Sequence, residues 1–181
     1  MHVDSVLLNK VSLYLHGSDT LSPVYTTKEN GRLYVLPSKC VALVGLDAKV
    51  FSLDLIPDLP TADSEAQMRD FIDKHLQTIV DYLHAGETIV VSCPTGSGCS
   101  VTLAIAVLLK MGADLTICEA TRRITDTRIK KICSDFGISS MQELLTRINH
   151  QEHEPIILTI PCVNFAFTMM LMEMFNERVL L

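Results

Sequence analysis

The chain has 181 residues, 48% of them hydrophobic and 20% charged, with a formal net charge of -6. That length fits one domain with a substantial core, and that composition excludes a disordered chain. An acidic balance without a long basic block speaks against nucleic acid as the main partner and gives no steering toward anionic membranes, so recognition of a phosphorylated group has to be local.

The start of the chain reads as β-rich. Residues 11–15 form a first expected strand, 32–36 a second after the turn signal Glu29-Asn30-Gly31, and 41–45 and 49–55 two more. Residues 63–85 carry apolar side chains at Met68, Phe71, Ile72, Leu76, Ile79, Val80 and Leu83, the 3.6-residue period of an amphipathic helix. Ser64 is its expected N-cap with Gln67 in the capping-box position, and Gly86 its C′ residue. Residues 88–91 read as a buried strand and 100–111 as a buried helix. Two further helices are expected over 115–124 and 140–148, with a break at Asp135-Phe136-Gly137. The apolar tail reads as a strand over 156–160, stopped by Pro161, and a Met- and Phe-rich helix over 164–177. A membrane span there is not expected, because Pro161 and Asn164 interrupt the run and no basic cluster flanks it. The tail, 151–181, is expected to pack on the preceding domain, 1–150, or to face a partner through its methionines.

The six cysteines, Cys40, Cys93, Cys99, Cys118, Cys133 and Cys162, show neither a paired framework nor zinc-ligand spacing. No metal and no cofactor is therefore expected. The N-terminal segment lacks a basic stretch followed by a long apolar core, so the expected setting is reducing, cytoplasmic or nuclear.

The most informative stretch joins the strand over 88–91 to the helix over 100–111 through Cys93-Pro94-Thr95-Gly96-Ser97-Gly98-Cys99. Strand, glycine-rich loop and helix make an anion cradle, in which loop amides and the positive end of the helix dipole converge. A cysteine at the strand end stands where its thiolate would be stabilised. A nucleotide-binding P-loop is a poor match, since its first glycine and its lysine are missing.

This stretch resembles the signature of the cysteine-based protein tyrosine phosphatases, most closely the dual-specificity subgroup: His-Cys, five residues of which the third is Gly, then Arg and Ser or Thr. Cys93, Gly96 and Ser100 match; Ser92 stands for the His and Cys99 for the Arg. Leu13-Tyr14-Leu15-His16-Gly17 is similar to an early run of the family, and Asp58-Leu59-Pro60 to the turn in its general-acid loop. The resemblance spans roughly residues 11–149 and implies an α/β fold, a central sheet of about four or five strands flanked by helices.

The resemblance also implies roles. Cys93 takes the nucleophile position and Ser100 that of the hydroxyl assisting the departing thiolate. Asp58 has the local context of the general acid, and Asp63 its spacing from the cysteine. The two departures remove both basic groups. The family Arg grips two phosphoryl oxygens with a planar fork, and a thiol offers one weak donor. The expected function is therefore that of a pseudophosphatase, a non-catalytic adaptor of the phosphoserine/threonine/tyrosine-interacting type, taking a protein partner with phosphorylated or acidic segments. A weakly active phosphatase, using Cys93 with an Arg from elsewhere, and a thiol redox sensor pairing Cys93 with Cys99 are the alternatives. Arg122, Arg123, Arg128, Lys130 and Lys131 form a basic cluster that reads as a solvated helix face or as a docking patch.

Overall fold

The computed structural model describes residues 22–45, 47–57, 61–112, 115–137, 139, 143 and 165–175. Its centre is a four-stranded sheet. In chain order the strands are β1 (Tyr25–Thr26), β2 (Arg32–Pro37), β3 (Lys49–Ser52) and β4 (Thr88–Cys93). Their order across the sheet is β1-β2-β4-β3. β2 and β3 both run parallel to β4, and β1 is antiparallel to β2. The register places Pro37 beside Cys93, so β2 and β4 end together.

Both faces of the two inner strands are covered, which is why their sequences are near-continuous apolar runs. Leu33, Val35, Ile89, Val91 and Cys93 join the main core under the helices. Tyr34, Leu36 and Val90 alternate to the other face, where they meet Cys40. Cys40 belongs to a 3₁₀ turn, Ser38–Leu43, which takes up the start of the segment where a strand over 41–45 is expected. The reason is topological. Both sides of β4 are occupied, by β2 and β3, so the connection crosses the face of the sheet as a turn that buries Cys40 alone and leaves Leu43 exposed.

β3 is shorter than the expected 49–55, although Leu53 N–H still donates to Ser92 O at 2.8 Å before the chain turns at Asp54 and Leu55. α1 (Ala62–His84) then leads back to β4. It buries Met68, Ile72, Ile79, Val80 and Leu83, the stripe its periodicity predicts. Its cap lies one turn earlier than expected. Thr61 is the N-cap, with Ser64 N–H donating to Thr61 Oγ1 at 3.1 Å. Ser64 closes the box by accepting from Thr61 N–H at 2.9 Å, so a hydroxyl does at N3 what Glu or Gln usually does. Gly86, at φ +82°, turns the chain out of the helix, as a C′ glycine should.

α2 (Cys99–Met111) is apolar on every side and buried throughout its first eleven residues. α3 (Ile117–Phe136) runs well past the expected 115–124 and stops at the predicted break, where Gly137 has φ +60°. α4 (Phe165–Met174) sends Phe167, Met170 and Leu171 into the same core, and Glu173 accepts from Arg69 of α1 at 2.7 Å. The strands expected over 11–15 and 156–160 lie outside the described residues, as does all but Glu143 of the helix expected over 140–148. Among the described residues no helix is long and apolar enough to cross a membrane.

The edge strand is tied to α1 by an aromatic cluster. His75 has ring centroids 5.6 Å from Phe51 of β3 and 4.5 Å from Phe71, one helical turn back. Partial burial, and then the neighbouring charge of Lys74, hold its pKa below the ordinary imidazole value. A histidine whose folded pKa is lowered supports the fold above its unfolded value and loses that support as the pH falls through the folded pKa. An NMR titration of His75 should show a midpoint below the ordinary ~6.5; a midpoint at or above it would contradict this packing.

Candidate functional site

β4 delivers Cys93 to the carboxyl edge of the sheet, between two parallel neighbours, where open α/β sheets place their ligand crevices. The chain then turns through residues 94–98 into α2, whose N-cap is Gly98. Gly96 makes this turn at φ +70°, a left-handed conformation that an L side chain would strain.

The Cys93 sulfur is buried at the floor of this turn. Gly96 N–H donates to it at 3.2 Å, Ser100 Oγ lies 3.1 Å away and Thr95 Oγ1 3.8 Å away. Thr95 Oγ1 also accepts from Ser97 N–H at 3.3 Å and Ser97 Oγ at 2.9 Å. The structure thus brings Cys93, Thr95, Gly96, Ser97 and Ser100 into one hydrogen-bonded unit. Pro94 and Thr95 are on its exposed side.

Cys99 is placed differently. It is fully buried as the first residue of α2, and its thiol points to the carbonyls of Ile56 and Pro57, at 3.8 and 3.9 Å. Cys93 and Cys99 are both thiols, with no disulfide between them. Ser92, one residue before Cys93, projects to the opposite face of the sheet. It is buried, and its hydroxyl has no hydrogen-bond partner among the described residues. Asp58, Leu59 and Pro60 lie outside the described residues. Asp63 is exposed in the first turn of α1, where a carboxylate favours the helix dipole, and none of the hydrogen bonds around Cys93 involves it.

The basic cluster needs a correction. Arg122, Arg123 and Lys130 are exposed, and the side chain of Lys131 is outside the described residues, but Arg128 is 1% exposed. Ile117, Ala120, Ile124 and Arg128 repeat at helical spacing, so Arg128 lies on the inner stripe of α3 and is no part of a surface patch. That periodicity was the available signal, hidden because a charged side chain is seldom expected inside. Arg128 Nη2 donates to Gly96 O at 2.7 Å and reaches Val35 O at 3.5 Å. Burial lowers its pKa to about 10, while the Cys93 group opposes the shift. A cation therefore stands against the cysteine loop at neutral pH.

Among the described residues no group of His, Cys, Asp or Glu side chains could hold a metal ion. The chain matches no family model, no curated protein and no solved structure with which it was compared.

Proposed function

We propose that the chain is a phosphatase-like protein without phosphatase chemistry, a pseudophosphatase that serves as a protein-interaction adaptor for phosphorylated or acidic segments. One observation carries this reading. The Cys93 sulfur sits in a strand–loop–helix turn and receives the Gly96 amide and the Ser100 hydroxyl, yet the side chain at the clamp position is the buried thiol of Cys99, turned toward Ile56 and Pro57. The turn keeps a phosphatase-like frame, and the group that would grip a phosphoryl oxygen is missing from it. A protein partner and a cytoplasmic or nuclear setting accord with the acidic balance and with a cysteine spacing that shows no paired framework.

Arg128 favours a second reading, a weakly active phosphatase that recruits an Arg from outside the loop. It ranks second because the Arg128 guanidinium is engaged with the loop backbone at Gly96. Redox pairing of Cys93 with Cys99 is weaker still, since the two thiols make their contacts with different parts of the chain.

Titration with inorganic phosphate, followed on the backbone amides of residues 96–100 by NMR, tests the binding half of the proposal. Amide donors and a helix terminus do not depend on the side chains at 92 and 99. The expected result is saturable shifts at roughly millimolar phosphate, weak because the charge-assisted fork is absent. Unmoved loop amides at high phosphate would remove the cradle from the proposal.

A further inference from the structure

Arg128 is a costly residue to bury, and the hydrophobic core around it would be served by an apolar side chain of similar volume. Its contacts indicate what the charge is for. The loop has glycine at 96 and 98, and glycine loses more backbone freedom on ordering than any other residue. Gly96 is held at both of its polar groups: its N–H lies on the Cys93 sulfur at 3.2 Å, and its carbonyl accepts from Arg128 Nη2 at 2.7 Å. The same nitrogen reaches Val35 O of β2 at 3.5 Å. One side chain thus spans α3, the neighbouring strand and the loop.

We infer that Arg128 is a positioning residue for the cysteine loop: its guanidinium ties the Gly96 carbonyl to β2 and thereby keeps the Gly96 N–H on the Cys93 sulfur. The importance of this turn rests on the function proposed above, but the positioning role does not require phosphate or a partner. Arg128 does not take the place of the missing clamp; it shapes the turn from the side of the protein core.

Amide hydrogen exchange of the full chain, read by NMR in Arg128→Met and Arg128→Lys, tests the assignment. In Arg128→Met the Gly96 amide should exchange roughly tenfold faster or more, the loss of one charge-assisted hydrogen bond. The amides of Ile89, Val90 and Val91 should keep their rates, because they report the sheet. Arg128→Lys keeps the charge and an N–H donor group but loses the planar, pre-organised guanidinium, so its Gly96 amide should exchange at an intermediate rate. Equal acceleration in β4 would make Arg128 an ordinary structural residue and overturn the inference. A Gly96 amide as protected as in the wild type would also overturn it. Should Arg128→Met fail to fold, Arg128→Lys alone decides: faster exchange confined to the loop supports the role, and an unchanged Gly96 rate overturns it. The phosphate titration is a separate result, so either idea can fail without the other.

Discussion

Replacing Ser92 with His and Cys99 with Arg should give a protein that hydrolyses an aryl phosphate in a Cys93-dependent way, on the order of 10²-fold faster than the wild type. In the proposed reading the frame for that chemistry is the sulfur of Cys93, the Gly96 amide on it and the Ser100 hydroxyl beside it. A guanidinium on the first residue of α2 supplies two parallel donors to equatorial oxygens where a thiol supplies one weak donor. Its stem replaces long sulfur contacts to Ile56 O and Pro57 O. The change at 92 breaks no hydrogen bond, because the Ser92 hydroxyl makes none among the described residues. It does put a larger ring into a buried place, at a cost of roughly 1–3 kcal/mol. Aryl phosphates are the right substrates because a good leaving group depends least on a general acid. A folded double variant with no Cys93-dependent rate would mean that the turn is not shaped as a phosphatase cradle.

The largest effect on stability should come from Gly31→Ala. Gly31 immediately precedes β2, where the β1–β2 turn lies against the end of α1, and a Cβ there would stand 2.0 Å from the carbonyl oxygen of Leu83. Backbone, not a yielding side chain, is in the way. Two hydrogen bonds fix the same junction, from Thr27 Oγ1 to Leu83 O at 3.2 Å and from Gly31 N–H to Thr27 Oγ1 at 2.9 Å. Relieving the clash means pulling the hairpin off the helix, at a cost of about 3 kcal/mol, the upper end for overpacking. For a chain of this size that corresponds to a fall in Tm of roughly 6–12 °C by calorimetry. A variant within a degree or so of the wild type would show that the hairpin does not sit against α1 as described.

The parts of the fold that were legible in the sequence are those where burial is periodic. α1 declared itself through Met68, Ile72, Ile79 and Leu83, and β4 through its unbroken apolar run. The cap of α1 is not legible, because Ser64 has the residue type of an N-cap, while Thr61, one turn earlier, takes that role and makes Ser64 its reciprocal partner. The segment at 41–45 has the composition of a strand, but only the sheet order shows that no strand position beside β4 is left for it. The second half of α3 is hard to see because Arg128 interrupts its apolar stripe, and the same residue hides the loop's support inside an apparent surface cluster. At the site, the resemblance of the loop to the phosphatase signature points to Cys93, Gly96 and Ser100. The direction of the Cys99 thiol depends on the chain after β3, which is distant in sequence, and no local pattern records it.

The measurement that bears most directly on the central claim is turnover of an aryl phosphate by the wild-type chain beside Cys93→Ser. With no basic side chain at positions 92 and 99 and Arg128 engaged with Gly96, the account predicts that the two rates coincide. A wild-type rate that is ordinary for a cysteine-based phosphatase and vanishes in Cys93→Ser would contradict it.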